Sequence, residues 1–268
     1  MQQRLNVRYR ITWEGGWHVG SGFRTTATDR LIQRIGGTSG QPFVPGSQIK
    51  GVLRHTCERL AQALGLKFVD PHATSGEQQR LLVKHFGPLR TNRLLVDRLF
   101  GTRFQGDCLF VDNATAEPPD APHGPCKGHS ASEQTKPNRT PATLVRTRTA
   151  MDRVTRTVKE RHLFTTEIAD QGITLVGRIR ARHPAGVLTQ YDNGFPYEYA
   201  LLLVGLMSID RLGGDKSSGL GRCRVEIEQV LWNGSQMDID ECLSPLEDIA
   251  EFEPDELVQW LQDVRAEG

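Results

Sequence analysis

A chain of 268 residues, 37% of them apolar, is long enough to bury a substantial core, and 33 basic against 32 acidic side chains leave a formal net charge of +1. No apolar run approaches the length of a membrane span, and five scattered cysteines without a CxxC pair argue against a disulfide framework. With no signal peptide in view, the expectation is a cytoplasmic protein.

The first element is a strand in which Leu5, Val7, Tyr9, Ile11 and Trp13 alternate with polar residues. A Gly-rich polar segment from Gly15 to Gln41 follows, and then a helix from about Ser47, with Ser47 as its expected N-cap and Ile49, Leu53, Cys57, Leu60 and Leu64 on one face. Residues 67–98 are mixed and predict one or two short helices; Asp107 to Asp112 reads as a second strand. From Asn113 to Thr143 the chain is rich in Pro, Gly, Ser and Thr, too long for a simple connection. Leu163 to Arg180 carries two strand-like runs separated by the turn signal Asp170-Gln171-Gly172. Pro196 to Leu212 is apolar nearly all round, a buried helix, and Arg222 to Trp232 alternates again. A last helix is expected near Pro254, with Leu257, Trp260, Leu261 and Val264 on one face. The order β, α, β, β, α, β predicts an α+β fold, a single ferredoxin-like (RNA-recognition-like) domain over 1–268 with a helical insertion at about 67–98 and a thumb-like basic insertion at about 113–161.

Charge is sorted along the chain. Eight basic residues lie between Lys136 and Arg161 against Asp152 and Glu160, whereas eleven acids follow Met237 against Arg265 alone. The stretch Gly213-Gly214-Asp215-Lys216-Ser217-Ser218-Gly219-Leu220-Gly221 combines glycines that let backbone N–H groups approach a ligand with a cation and two hydroxyls, a pattern suited to phosphate. A second candidate anion site is the start of the first helix, Pro45-Gly46-Ser47, where unsatisfied N–H groups meet Lys50 and Arg54 one turn apart. Two anion sites on one small fold point to nucleic acid. Asp29, in the polar stretch Thr25–Arg30, either forms a turn or serves as a carboxylate that binds a divalent ion or positions a 2′-hydroxyl. His123, Cys126 and His129 have a spacing that can ligate zinc, although no second CxxC pair accompanies them. There is no Gly-x-Ser-x-Gly elbow, and the Gly214–Gly219 loop lacks the Walker ending.

Read together, Trp17-His18-Val19-Gly20-Ser21-Gly22, Gln41 to Arg54, Leu99-Phe100-Gly101, Arg148-Thr149-Ala150-Met151-Asp152-Arg153, Leu163 to Glu167 and the Gly213–Gly221 loop resemble, in order and spacing, the RAMP superfamily of CRISPR-associated proteins, specifically the backbone subunit of type III effector complexes. The resemblance implies that copies of the chain stack along a guide RNA with other effector subunits. Its sugar-phosphate contacts would fall on His18, Ser21, Gly46, Ser47, Lys50, Arg54, Arg148, Arg153, Lys216, Ser217, Ser218, Gly219 and Gly221. It further implies that the 113–161 insertion is a thumb that wedges between guide and target RNA. Asp29 would be the catalytic residue, organising attack of the target's own 2′-hydroxyl with Mg²⁺ or another divalent cation and leaving a 2′,3′-cyclic phosphate. Many relatives carry a zinc-binding CxxC pair before Leu-Phe-Gly; here Leu95, Val96, Asp97 and Arg98 stand in its place, which speaks against zinc there. The resemblance also admits a pure scaffold subunit, or a guide-processing endoribonuclease with His18 or His55 as acid or base.

Overall fold

The computed structural model describes residues 2–36, 40–64, 95–101, 106–116, 143–184 and 195–251. In chain order the elements are β1 (Gln2–Trp13), α1 (Gly46–Ala63), α2 (Leu95–Phe100), β2 (Leu109–Val111), β3 (Thr115–Ala116), β4 (Thr143–Met151), β5 (Val158–Ala169), β6 (Leu175–Pro184), α3 (Tyr197–Met207), β7 (Cys223–Trp232), β8 (Ser235–Met237) and α4 (Ile239–Glu251). Six strands form one sheet in the order β2-β6-β1-β7-β8, with β3 also pairing β6, and every pairing is antiparallel. Leaving out the insertions, β1-α1-β2-β6-α3-β7 is the ferredoxin-like series, with β1 and β6 central as that topology requires.

Strand alternation decides which face the helices cover. Leu5, Val7, Tyr9 and Ile11 of β1 are fully or almost fully buried, as are Leu175, Ile179 and Ala181 of β6. Against them pack Ile49, Leu53, Cys57 and Ala61 of α1, four residues apart on a single stripe. Beside α1, in contact with it and with β7, α3 is buried on nearly every side, as its all-round apolar sequence predicts, and α4 packs against it. Within the core, the α2 side chain of Arg98 meets Glu198 of α3 at 2.8 Å, a buried ion pair joining the two helices.

Three expectations need correction. Ser47 does not cap α1: Pro45 occupies the N-cap, and the first helical N–H, that of Gly46, is taken by the Asn113 side chain at 2.9 Å. The second strand is shorter than Asp107–Asp112, because β2 ends at Val111 where the Gly46 turn packs against it. Of the two strand-like runs around Asp170, only β6 enters the sheet; β5 pairs with β4 in a separate two-stranded hairpin that carries most of the exposed apolar residues. α4 was not anticipated, and the helix expected near Pro254 lies outside the described residues, as does most of the helical insertion.

Candidate nucleic-acid interface

Because β2 runs parallel to β1 while β6 and β7 oppose it, the ends of β1 and β2 and the beginnings of β6 and β7 meet at one end of the sheet. The candidate residues gather there. Trp17 stacks on Trp13 of β1 with ring centroids 4.5 Å apart and planes 8° from parallel, folding the segment after β1 back over the sheet end. Its backbone pairs with Ala169 of β5 and its indole N–H donates to the Asp170 carbonyl, 3.1 Å away.

On this platform the Gly-rich loop is stapled at both ends. The Gly214 N–H donates to the His18 carbonyl at 2.7 Å, and the Gly221 N–H donates to the Gly16 carbonyl at 3.0 Å. Gly221 has φ +77°, and a Cβ there would stand 2.0 Å from the Leu212 carbonyl oxygen, so only glycine closes the loop. Between the staples, Asp215 opens a single 3-10 turn over Lys216–Ser218, and Ser217, Ser218 and Gly219 are exposed at its rim. Lys216 has no acidic partner among the described residues.

Asp29 is held by β5. Its N–H donates to the Thr165 hydroxyl (3.0 Å), while its Oδ2 accepts from the Thr165 N–H (2.7 Å) and hydroxyl (3.1 Å). The Thr165 N–H, then its hydroxyl, hold the Asp29 carboxyl below the usual carboxylate range, so it is ionised at neutral pH while the residue stays exposed. The neighbouring Arg30 adds to the same edge, with its N–H on the Thr165 carbonyl and its own carbonyl accepting from Glu167. Ser21 sits one turn away across a small ribbon, its hydroxyl donating to the Leu31 carbonyl at 3.1 Å.

One carboxylate joins these pieces. Asp215 of the Gly-rich loop receives Arg30 from the Asp29 loop at 3.1 Å and Arg148 from β4 at 3.0 Å, and its own side chain is only 18% exposed. Loop, candidate catalytic segment and hairpin thus meet at a single half-buried charge. Beyond it the hairpin extends outward to a tip where Asp152 Oδ1 accepts the N–H groups of Val154 and Thr155; Arg153 is exposed there and Val154 is 92% exposed.

His18 is buried, and its Nδ1–H donates to the Glu167 carbonyl at 2.7 Å. Burial pushes its pKa down, so the ring is neutral and acts as a packing and positioning group. Glu167 itself lies beneath, bonded to Arg34 and to the Ile32 N–H; burial opposes its charge, but those partners outweigh it and keep the carboxyl below its usual range.

The start of α1 lies at the same end, over the opposite edge of the sheet. Strand spacing puts β2 and β7 about 14 Å apart. Gly46 is buried against Val111, and Ser47 is exposed. Lys50 and Arg54 do not reach the Gly-rich loop: Lys50 pairs with Asp107 at 2.6 Å, and Arg54 pairs with Glu58 at 2.9 Å and approaches Asp97 at 3.8 Å. Arg30, Thr165 and Asp215 are the members of the site that the sequence did not single out. Their contacts join residues 67 to 185 positions apart, and no local spacing reports them.

Among the described residues no group of three or more His, Cys, Asp or Glu could hold a metal ion. Asp29 is a lone carboxylate there, so the described residues offer no built metal site. His123, Cys126 and His129 lie outside the described residues. The four described cysteines are free, and burial pushes the thiols of Cys223 and Cys242 up to about 12, too high for a nucleophile. No described helix is long and apolar enough to cross a membrane.

No curated protein matches the chain. A family model does match, over residues 10–224, a span that runs from β1 through the Gly-rich loop into β7. The chain belongs to the RAMP superfamily, CRISPR-associated RNA-binding proteins.

Proposed function

We propose that the chain is a guide-RNA-binding backbone subunit of a type III CRISPR effector complex and that, within the assembled complex, it cleaves complementary target RNA at a site organised by Asp29. The observation that carries this reading is the junction at Asp215. It sets an exposed, ionised carboxylate beside a glycine-rich anion loop and the root of a protruding basic hairpin.

In this reading the rim of Ser217, Ser218 and Gly219, with Lys216, grips the guide backbone, and the exposed first turn of α1 at Ser47 takes a second phosphate across the sheet end. The hairpin, with Arg153 and Val154 at its tip, enters between guide and target. Asp29 is too acidic to be an efficient proton acceptor at neutral pH. It instead orients the attacking 2′-hydroxyl by accepting its hydrogen bond, and Oδ1, which has no partner among the described residues, is the oxygen available for that contact. A divalent cation carried in by the RNA phosphates would supply charge stabilisation at the scissile group, with Asp29 contributing a carboxylate. His18, buried and neutral, does not favour the guide-processing alternative. A scaffold subunit would keep the same loop and hairpin without cleavage.

The test is cleavage of a labelled complementary RNA by the reconstituted guide complex with Mg²⁺, comparing wild type with Asp29→Ala. The variant is expected to bind target as wild type does and to lose cleavage. If both bind and neither cuts, the subunit is scaffold.

A further inference from the structure

The face of the core sheet turned away from the helices has a charge arrangement that the site above does not use. The β1–β6 register sets Arg4 directly opposite Arg182, and Arg8 directly opposite Arg178. Residues opposite one another in an antiparallel ladder share a face, and like charges there repel. These arginines alternate with the buried Leu5, Val7, Ile179 and Ala181, so they stand on the outer face. Between the two pairs Arg180 lies opposite Asn6 and, on its other side, Phe110 of β2, whose ring is 53% exposed.

Two carboxylates reach this group: Glu228 takes Arg8, and Asp112 takes Arg180 at 2.8 Å. Arg4, Arg178 and Arg182 have no acidic partner among the described residues. For the protein alone, two opposed arginine pairs are a destabilising choice. A polyanion lying across them reverses the sign of that effect, because guanidinium forks bind phosphate oxygens in pairs. Arg178, Arg180 and Arg182 are two residues apart on one strand, hence about 7 Å from one to the next, which lets successive phosphates of one extended strand engage them in turn. Phe110, exposed among the cations, offers a ring on which a base stacks.

We propose that the outer face of the core sheet, from Arg178 to Arg182 with Arg4 and Phe110, is a second binding surface for single-stranded RNA, separate from the Gly-rich-loop end. It depends neither on cleavage at Asp29 nor on the type of complex. The acidic stretch after Met237, in a second copy of the chain, is the competing occupant; the aromatic ring set among the arginines favours nucleic acid over carboxylates.

The experiment uses the full chain and a short fluorescein-labelled single-stranded RNA, with anisotropy titrations over a salt series. Arg178→Gln/Arg182→Gln is expected to weaken binding about tenfold at low salt and to make the log–log salt dependence shallower by about 1.4, the signature of two lost phosphate contacts. Phe110→Ala is expected to weaken binding without changing that slope. The melting temperature of the RNA-free double variant is expected to stay level or rise, since repulsion is relieved. Affinity and slope equal to wild type would overturn the proposal, as would a marked fall in melting temperature, which would make the arginines structural. Unchanged RNA binding with lost self-association in sedimentation would assign the face to a second copy instead.

Discussion

Gly219 and Gly221 share a backbone conformation and differ in their surroundings, which makes them a matched pair. Their φ values are +87° and +77°, and any side chain in that region costs about 1–2 kcal/mol. At Gly219 no atom lies within 4 Å of an added Cβ, so Gly219→Ala carries that cost alone. At Gly221 the Cβ would stand 2.0 Å from the Leu212 carbonyl oxygen, a backbone atom with no rotamer to yield. The carbonyl has to retreat, and with it go the Leu212 N–H bond to Gly221 and the Gly221 N–H bond to Gly16, each worth about 0.5–1.5 kcal/mol. Gly221→Ala is therefore expected to destabilise by about 2–5 kcal/mol. For a chain of this size that lowers the melting temperature by roughly 10 °C, against about 4 °C for Gly219→Ala. Thermal melts followed by circular dichroism read both. If the two variants melt together, the close approach to Leu212 is not what demands glycine, and the loop is not stapled as described.

Two further outcomes test the electrostatics. Thr165→Val removes the hydroxyl on Asp29 and keeps the N–H that does more to depress its pKa, so the carboxyl rises partway toward its ordinary value. A depressed carboxylate loses its charge as pH falls through its folded pKa; the acid limb of the cleavage profile should therefore move to higher pH in the variant, and an unchanged limb would refute the contact's role. Arg98→Met withdraws a guanidinium from the fully buried Glu198 and is expected to cost about 3–5 kcal/mol in urea unfolding, while Arg98→Met/Glu198→Met recovers much of it; a double-variant loss equal to the sum of those of Arg98→Met and Glu198→Met would show that the pair is not coupled.

The junction at Asp215 bears on how the subunit handles its substrate. Arg148 has a half-buried side chain and a fixed partner in Asp215, so the hairpin is anchored to the Gly-rich loop. The Asp29 segment is bonded to the hairpin's other strand, β5, through Thr165, so on the proposed function the loop, the hairpin and the Asp29 segment would shift together. Lys50 and Arg54, by contrast, are engaged with Asp107 and Glu58, and reach RNA only by exchanging those partners.

The central strands and the buried helix were legible because their burial is one-sided or total. The strict alternation from Leu5 to Trp13 and the apolar run of α3 can be satisfied in few ways, and the ferredoxin-like order follows from their sequence. The Gly213–Gly221 loop was legible for the same local reason, since its chemistry lies within nine consecutive residues. β4 and β5 were harder: residues such as Leu144, Val145, Val158 and Leu163 are exposed on a hairpin with two open faces, so no hydrophobic period marks which side is inward. α1 begins at Gly46, whose N–H is taken by Asn113 from far along the chain, so Pro45 is the N-cap and Ser47 falls inside the first turn. The alternating arginines of β1 and β6 were on view throughout, yet only the register sets Arg4 against Arg182 and Arg8 against Arg178. Local pattern determined the elements and the anion loop. The meeting of Arg30, Arg148 and Asp215, and the facing of like charges across the sheet, were decided by tertiary structure, because Coulomb energy depends on distance in space and not along the chain.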